Sequence, residues 1–219
     1  MAQELTKELT KEWSLGYIIE HWTRVIAIAV LTVTGLYIHW PFIAGGPESF
    51  IMAWMRFFHF IAAYVLILGL VVRVYMALRS TFDADWKDFM SMDNFKNLPD
   101  ITAYYLFMSD SHKEYRKYNP LQALTYLAVA AMIVFTLLTG AALYHGNLFG
   151  IIPCPNSFRW VNSLLGGEPM TRVLHIFAMW FFILFALIHV YMSIMITMVN
   201  KDGTIWSIFT GYKLKKHSK

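Results

Sequence analysis

The sequence predicts an all-α protein in which four helices cross a membrane as one bundle. Hydrophobic residues make up 58% of the 219 residues and charged residues only 15%, which is too apolar for a soluble domain of this size. Four segments are apolar over the ~20 residues that a helix needs to cross the hydrocarbon core. We therefore expect a single membrane domain over residues 1–219, with spans at about 15–37, 53–78, 120–144 and 170–199.

Spans one and two are joined by a short outer loop. No small-residue cleavage site accompanies span one and three further spans follow, so we expect it to be retained rather than removed as a signal peptide. The loop HWPFIAGGPESF (39–50) has glycine and proline for turns, and aromatic residues suited to the membrane interface. Span two then returns the chain to the side on which it started.

Spans two and three are joined by a long loop of mixed charge, at about 79–119. Its stretch DWKDFMSMDNFKNL (85–98) is compatible with an interfacial helix or with a solvated loop. Spans three and four are joined by HGNLFGIIPCPNSFRWVNSLLGGE (145–168), which holds the single cysteine, Cys154. One cysteine cannot form an internal disulfide, a cysteine-based zinc site or an iron–sulfur cluster. Any redox chemistry in the chain therefore needs a histidine-bound metal or a quinone.

Most of the 18 lysines and arginines lie on one side of the predicted membrane. They are found in the N-terminal flank, the loop between spans two and three, and the C-terminal flank: Lys7, Lys11, Arg79, Lys87, Lys96, Lys113, Arg116, Lys117, Lys201, Lys213, Lys215, Lys216 and Lys219. Because positively charged flanks stay in the cytoplasm, we expect both termini to be cytoplasmic. The net charge of +4 then indicates contact with anionic membrane lipid rather than with nucleic acid.

Half of the eight histidines lie inside the spans, and they are His21, His59, His175 and His189. Ionisable groups inside a membrane are costly, so function is the first hypothesis for them. His175 and His189 are 14 residues apart, which places them on one helix face and about 21 Å apart along the helix axis. This distance is too long for one metal ion and suits two cofactors, one near each membrane surface.

Depth in the predicted bundle pairs these histidines. His59 and His175 lie near the outer surface, whereas His21 and His189 lie near the inner surface. Two imidazoles at each level predict two haem b groups, each with bis-histidine ligation. No CxxCH sequence is present, so we expect the haem to be bound non-covalently. A single membrane histidine is often only a satisfied polar residue, but four at two matched depths favour the haem interpretation.

Three arginines and one glycine lie where a haem would influence the choice of residue. Arg24, Arg56 and Arg172 are each three residues from a predicted ligand, near the membrane surfaces where haem propionates would lie. The alternative is that they extend towards the headgroups from the helix ends. Gly35 lies 14 residues after His21, level with the outer site. There it either gives clearance to a flat macrocycle or is an ordinary packing glycine.

The first and last spans carry a resemblance to a known family, in EHWTRVIAIAVLTVTGLYI (20–38) and MTRVLHIFAMWFFILFALIHVYM (170–192). The chain resembles the b-type cytochrome subunit of membrane-bound nickel–iron hydrogenases over essentially its whole length. The resemblance implies that the same four histidines ligate haem and that the protein lies in the bacterial cytoplasmic membrane. It also implies a periplasmic small subunit with iron–sulfur clusters, a large nickel–iron subunit that oxidises hydrogen, and menaquinone or ubiquinone as electron acceptor.

Three alternatives to this function remain at the level of sequence. The gamma subunit of membrane formate dehydrogenase is similar and shares the ligand plan, so the donor could be a formate dehydrogenase. A non-redox membrane anchor would use the histidines for packing or for a structural metal. A transporter would use them as a proton relay, but the spans show no corresponding interrupted pair and no chain of carboxylates. We therefore favour the electron-transfer subunit of a hydrogen:quinone oxidoreductase complex.

The start of span three is the predicted quinone site. In YNPLQALTY (118–126), Asn119 precedes the helix, and Gln122 and Tyr126 lie on one helix face. Amide and phenol groups at an interface can hydrogen-bond the oxygen atoms of a quinone. The resemblance also implies a quinone site near the inner haem, with an asparagine followed three residues later by a glutamine. The alternative is that Asn119 only caps the helix and that Gln122 is solvated.

Overall fold

The computed structural model describes residues 6–42, 49–79, 82–83, 96–105, 108 and 118–217. In chain order the elements are β1 (Thr6–Lys11), α1 (Leu15–His39), α2 (Phe50–Arg79), α3 (Leu98–Tyr105), α4 (Pro120–Leu143), β2 (Asn147–Leu148), β3 (Ile152–Pro153), α5 (Cys154–Ser157), α6 (Arg159–Leu165), α7 (Glu168–Asn200), α8 (Thr204–Thr210) and β4 (Tyr212–His217). The chain is mostly helical. The four predicted spans are confirmed as α1, α2, α4 and α7, with ends close to those expected.

The four long helices leave most of their apolar surface uncovered by protein. In the most apolar 18-residue stretch of each helix, only 11% of the residues are buried in α2 and in α7, and 28% in α4. Exposed side chains along them include leucine, isoleucine, valine and phenylalanine. Apolar surface of this extent would be unfavourable in water, whereas in a bilayer it meets lipid tails. Because each helix satisfies its own backbone hydrogen bonds, it can cross the hydrocarbon core alone.

The chain forms two units, one made of residues 1–83 and 183–219 and the other of residues 84–182. Helix α7 is continuous and contributes to both. In the first unit, α1 and α2 pack together. The residues that α1 buries recur at intervals of three and seven, which places them on one face of the helix: Tyr17, Glu20, Ala27, Thr34 and Tyr37. That one membrane domain covers the whole chain stays a prediction.

The first unit also joins the two ends of the chain. Strands β1 and β4 pair antiparallel, from Thr6 opposite His217 to Lys11 opposite Tyr212. Beyond the ribbon, the N–H groups of Glu12 and Trp13 both donate to the Gly211 carbonyl, at 2.7 and 3.1 Å. The two ends of the chain therefore lie together, next to the start of α1. That this side is cytoplasmic stays a prediction from the lysine and arginine pattern.

Helix α1 begins at a well-satisfied cap. The Ser14 hydroxyl accepts a hydrogen bond from the Tyr17 N–H, and Ser14 donates from its own N–H and hydroxyl to the Asp83 carboxylate, at 2.9 and 2.7 Å. The indole N–H of Trp22 donates to the Ile208 carbonyl of α8, at 3.1 Å. Satisfied N–H groups at a helix start stabilise it by about 1 kcal/mol. These contacts hold the N-terminal end of α1, just before His21, in place.

The second unit is organised around α4. Helices α3, α5 and α6 pack against it, and the Asn162 side chain of α6 donates to the Ala142 carbonyl near the C-terminal end of α4, at 3.0 Å. Cys154 is fully buried at the start of α5. Helix α6 ends at Leu165 and is capped by Gly166, whose φ of 90° is in the left-handed region that favours glycine.

Two parts of the chain differ from the sequence prediction or lie outside the described residues. The all-α prediction omitted the ribbons β1–β4 and β2–β3. The first of these pairs the flanks TKELTK and YKLKKH, whose single leucines, Leu9 and Leu214, lie opposite each other as a cross-strand pair. The interfacial helix considered for 85–98 falls almost wholly outside the described residues, as do the loop lysines Lys87, Lys113 and Lys117.

Candidate haem-binding sites

His59 of α2 packs against a threonine and a glycine of α1. Its Nδ1 atom lies 2.9 Å from the hydroxyl of Thr34, a side chain that is itself buried. A Cβ atom added to Gly35 would come within 3.2 Å of the His59 Cε1 atom. Both contacts lie within the first unit. The glycine therefore lies at the depth expected from the sequence, but the group to which it gives room is the imidazole ring itself.

His175 of α7 has the same surroundings, provided by α4 in the second unit. Its Nδ1 atom lies 2.9 Å from the hydroxyl of Thr139, which has no exposed surface. A Cβ atom added to Gly140 would come within 3.2 Å of the His175 Cε1 atom. Each of these two histidines is thus supported by a threonine–glycine dipeptide on the neighbouring helix. The sequence reasoning missed Thr34, Thr139 and Gly140.

The threonine hydroxyls determine which imidazole nitrogen carries the proton. Each hydroxyl has one proton, and each donates it to the carbonyl four residues earlier, Thr34 to Val30 at 2.6 Å and Thr139 to Phe135 at 2.9 Å. The hydroxyl oxygen then accepts from the imidazole Nδ1–H. In this tautomer Nε2 keeps its lone pair, which is the form of histidine that ligates a metal. The donor chemistry at both residues therefore fits haem iron.

His21 of α1 has different surroundings. Its Nδ1 atom is buried and has no hydrogen-bond partner in the described part of the chain. The ring contacts Trp22 edge to face, with ring centroids 5.4 Å apart. His189 of α7 lies near enough to interact with it electrostatically, and His189 stacks on Phe185 at 5.4 Å. The first unit thus brings His21 and His189 together. A buried ring nitrogen without a hydrogen bond is uncommon, and it distinguishes this histidine from His59 and His175.

The outer pair stays a prediction. His59 belongs to the first unit and His175 to the second, so each is described by itself. Their matched surroundings are independent of that pairing.

The three arginines differ in their contacts. Arg24 forms an ion pair with Glu20 at 2.6 Å, and Arg172 forms one with Glu168 at 2.8 Å. Both carboxylates lie four residues before their arginine, the spacing at which helix side chains meet. Arg56 is exposed on α2. A guanidinium has five N–H donors and can bind a second carboxylate beside the first. A role with haem propionates therefore stays a prediction.

Glu20 is a site residue that the sequence reasoning missed. Its side chain is only 4% exposed although it lies within α1, directly before His21. One carboxylate oxygen is held by Arg24, the other has no hydrogen-bond partner among the described residues, and Arg73 of α2 also acts on its charge. A buried carboxylate needs such compensation, because an unpaired charge in an apolar medium is very unfavourable. The signal was the dipeptide Glu20–His21 inside an apolar span.

The predicted quinone residues form the cap of α4. The Asn119 side chain accepts from the Gln122 N–H at 2.8 Å, and the Gln122 side chain accepts from the Asn119 N–H at 3.1 Å. This is a capping box. Tyr126 packs against the buried Tyr118, with ring centroids 4.8 Å apart. Gln122 is therefore ordered by the backbone. The two hydrogen bonds use the amide oxygens and not the amide nitrogens, so quinone binding stays a prediction.

The sequence of this chain is similar to those of known proteins. The sequence profile of the family described as prokaryotic cytochrome b561 matches residues 12–211. The chain is 30% identical to the probable Ni/Fe-hydrogenase B-type cytochrome subunit of Cupriavidus necator, over 90% of this chain and 83% of that protein. It is 31% identical to the protein of the same name in Azotobacter vinelandii, over 90% and 85%. It is 29% identical to the probable Ni/Fe-hydrogenase 1 B-type cytochrome subunit of Escherichia coli strain K12, over 92% and 89%.

Proposed function

This chain belongs to the prokaryotic cytochrome b561 family, and on that basis we propose that it carries electrons from a periplasmic nickel–iron hydrogenase to quinone and anchors the complex in the membrane. Membership confirms the resemblance drawn from the first and last spans. It also makes the chain a multi-pass protein of the bacterial inner membrane. The names of its relatives favour a hydrogenase over a formate dehydrogenase as the electron donor.

The observation that carries the proposal is the state of the histidines. His59 and His175 each present an Nε2 lone pair because a threonine accepts from Nδ1. His21 is buried beside His189 with one ring nitrogen unpaired in the described chain. A non-redox anchor has no use for four imidazoles within its spans, two of them held by a threonine at Nδ1. When bound, haem b supplies a couple that takes up and releases one electron at a time.

The path of electrons then follows the order of the ligands. Electrons from the iron–sulfur clusters of a small subunit enter at the level of His59 and His175. They leave at the level of His21 and His189, about 21 Å further along α7 for 14 residues of helix. Arg24, Arg56 and Arg172 bind propionates near the two surfaces. Hydrogen itself is activated on the large nickel–iron subunit.

Quinone binds near the inner level, at the start of α4. Asn119 and Gln122 donate hydrogen bonds from their amide nitrogens, because their oxygens hold the capping box. Tyr126 adds a phenol group on the same face. Menaquinone and ubiquinone both have the carbonyl oxygens that such donors bind. Protons for quinone reduction come from the cytoplasm, so turnover with a periplasmic hydrogenase builds a membrane potential.

Two measurements on the purified complex test this function. Haem extraction and a reduced optical spectrum should give two haem b per chain, with hydrogenase subunits co-purifying. Absence of haem would reject the electron-transfer function and leave an anchor. Co-purification of a formate dehydrogenase instead would retain the electron path and change the donor.

The quinone site has its own test, designed so that the cap is kept. Asn119→Asp and Gln122→Glu both retain the side-chain oxygens of the capping box and remove the amide N–H donors. Both should keep two haems and reduce an artificial acceptor, yet lose most reduction of a quinone analogue. Asn119→Ala is the control that also breaks the cap. Normal quinone reduction in both acidic variants would place the quinone elsewhere.

A further inference from the structure

We propose that Thr34 and Thr139 are positioning residues that hold the imidazoles of His59 and His175 in one tautomer and lower the reduction potential of the haem iron they ligate. The inference rests on the proposed function, since it needs these histidines to be axial ligands. It assigns a role to two buried hydroxyl groups that a packing argument leaves unexplained. It also applies to each threonine–histidine pair separately, whatever the pairing of the two histidines.

The first step concerns the direction of the hydrogen bond. A threonine in an apolar helix satisfies its hydroxyl proton on a backbone carbonyl one turn earlier, and Thr34 and Thr139 both do so. The oxygen retains lone pairs that can accept only from a donor. The nearest ring atom is the imidazole Nδ1 at 2.9 Å in both cases. The imidazole must therefore donate from Nδ1.

The second step concerns the position of the ring. The hydroxyl holds one edge of the imidazole at Nδ1, and the glycine that follows the threonine touches Cε1, the atom between the two nitrogens. Any Cβ atom on Gly35 or Gly140 would be 3.2 Å from that carbon, closer than ordinary van der Waals contact. The dipeptide therefore sets both the rotation of the ring and its distance from the supporting helix. The threonine contact is made at Nδ1 and not at Nε2.

The third step concerns the electrons of the ligand. A hydrogen bond donated by the far nitrogen of a metal-bound imidazole makes the ligating nitrogen more basic. A more basic ligand stabilises ferric over ferrous iron, so the reduction potential falls. His21 has no acceptor at Nδ1 in the described part of the chain. A haem with threonine-supported ligands should therefore have the lower reduction potential, which favours electron flow from the outer level to the inner level.

The test is a redox titration of the intact complex carrying single substitutions, followed by optical spectroscopy. Thr34→Val and Thr139→Val keep the shape of the side chain and remove the hydroxyl acceptor. At His59 the Leu31 carbonyl also accepts from the imidazole and remains, so Thr34→Val should have the smaller effect of the two. Thr34→Ser and Thr139→Ser restore it. Thr136→Val is the matched control, because Thr136 lies one turn before Thr139, bonds its own helix at Met132 and has no histidine contact among its described hydrogen bonds.

The valine variants should increase the ratio of reduced to oxidised haem at a fixed potential, roughly three- to tenfold for one of the two haems. A tenfold change corresponds to about 59 mV for a one-electron couple. The serine variants should return to the wild-type potential, and Thr136→Val should not depart from it. If His59 and His175 share one haem, both valine variants shift the same component.

The remaining outcomes separate the positioning role from the proposed function. Unchanged potentials in both valine variants, or serine variants shifted as far as the valine ones, would overturn the positioning role while leaving the di-haem function intact. If a valine variant loses its haem, the serine variant decides: haem at the wild-type potential supports the role, and no haem overturns it. A wild-type complex without haem would overturn the proposed function and this inference together.

Discussion

The histidines supported by threonine and glycine differ from His21 in almost everything except residue type. His59 and His175 each meet a neutral hydroxyl and a glycine on the next helix. His21 lies beside a buried Glu20–Arg24 ion pair, with Arg73 also acting on Glu20 and no partner at Nδ1 within the described residues. Neutral hydrogen-bonding groups therefore lie next to His59 and His175, whereas charged side chains lie next to His21. Histidines within one bundle can therefore have different electrostatic surroundings, set by the side chains of the neighbouring helices.

Removing a ligand should have the largest effect and test the comparison most directly. His59→Ala and His175→Ala should both remove the outer haem, and His21→Ala and His189→Ala should both remove the inner one. The reason is that the protein would bind a haem far more weakly with one histidine ligand than with two. Haem content and reduced spectra of the four variants measure this. Loss of the same haem in His59→Ala and His189→Ala would show that the pairing is wrong.

Filling the space beside the imidazole should have the next largest effect. Gly35→Val and Gly140→Val should reduce occupancy of the haem ligated by His59 and His175, because the added atoms occupy the place of the ring and overpacking costs about 1–3 kcal/mol. Gly69→Val on α2 is the control, since a Cβ atom there has nothing within 4 Å. Full haem content in both test variants would mean that the ring can move aside freely.

Removing the buried charge of Glu20 should change the reduction potential only of the haem at His21. Glu20→Gln should raise the reduction potential of the haem ligated by His21, since a nearby negative charge disfavours reduction, by an amount on the order of 1 kcal/mol. Glu168→Gln, which removes the partly exposed partner of Arg172, should shift either haem less because water screens it. Redox titration measures both. Equal shifts in the two variants would remove charge as the distinguishing feature of the His21 site.

The smallest effect is expected away from all four histidines, at the joined ends of the chain. Burial of Asp202 would by itself raise the pKa of its carboxyl, but hydrogen bonds from Thr204 and Lys213 and the charge of Lys213 hold that pKa below its ordinary value. The carboxylate therefore stabilises the folded state above its unfolded pKa, and this stabilisation is lost as the pH falls through the lower folded pKa.

Asp202→Asn should accordingly weaken the ribbon at neutral pH by less than about 1 kcal/mol, because the pair with Lys213 is partly exposed. Faster amide hydrogen exchange in β4 at neutral pH would show this. The difference from the wild type should shrink in acid below the ordinary aspartate range. Haem spectra should stay unchanged throughout, and a change in them would show that the ends of the chain are coupled to the sites.

The four spans and the candidate ligands could be predicted from the sequence, and what supports the ligands could not. Span lengths follow from uninterrupted apolar runs, and histidines stand out in them because each is costly there. Thr34 and Thr139 do not stand out, since each satisfies its own hydroxyl on its helix. Which imidazole they meet depends on how neighbouring helices are rotated. The available signal was a threonine–glycine dipeptide inside a span at the depth of a histidine.

Other parts escaped prediction for related reasons. Glu20, the partner of Arg24, lies four residues before it on the same helix. A glutamate inside a span is nevertheless unfavourable unless positive charges compensate it, and the contribution of Arg73 from α2 could not be predicted from the sequence. Asn119 and Gln122 were predicted to bind quinone at the start of α4, and the stated alternative was that Asn119 caps the helix and Gln122 is solvated. In the structure Gln122 is itself part of the cap. The capping pattern itself is local, so it could be read from sequence. A ligand for the same residues cannot be read in that way.

The ribbon that joins β1 to β4 has a consequence for the timing of synthesis. The Thr10 hydroxyl bonds the Lys213 carbonyl, 203 residues later in the chain. At translation rates of about 5–20 residues per second, the first strand leaves the ribosome roughly 10–40 s before its partner exists. Throughout that interval the spans enter the membrane while β1 waits as an unpaired edge. A chain that ends before Tyr212 therefore lacks the strand that pairs with β1.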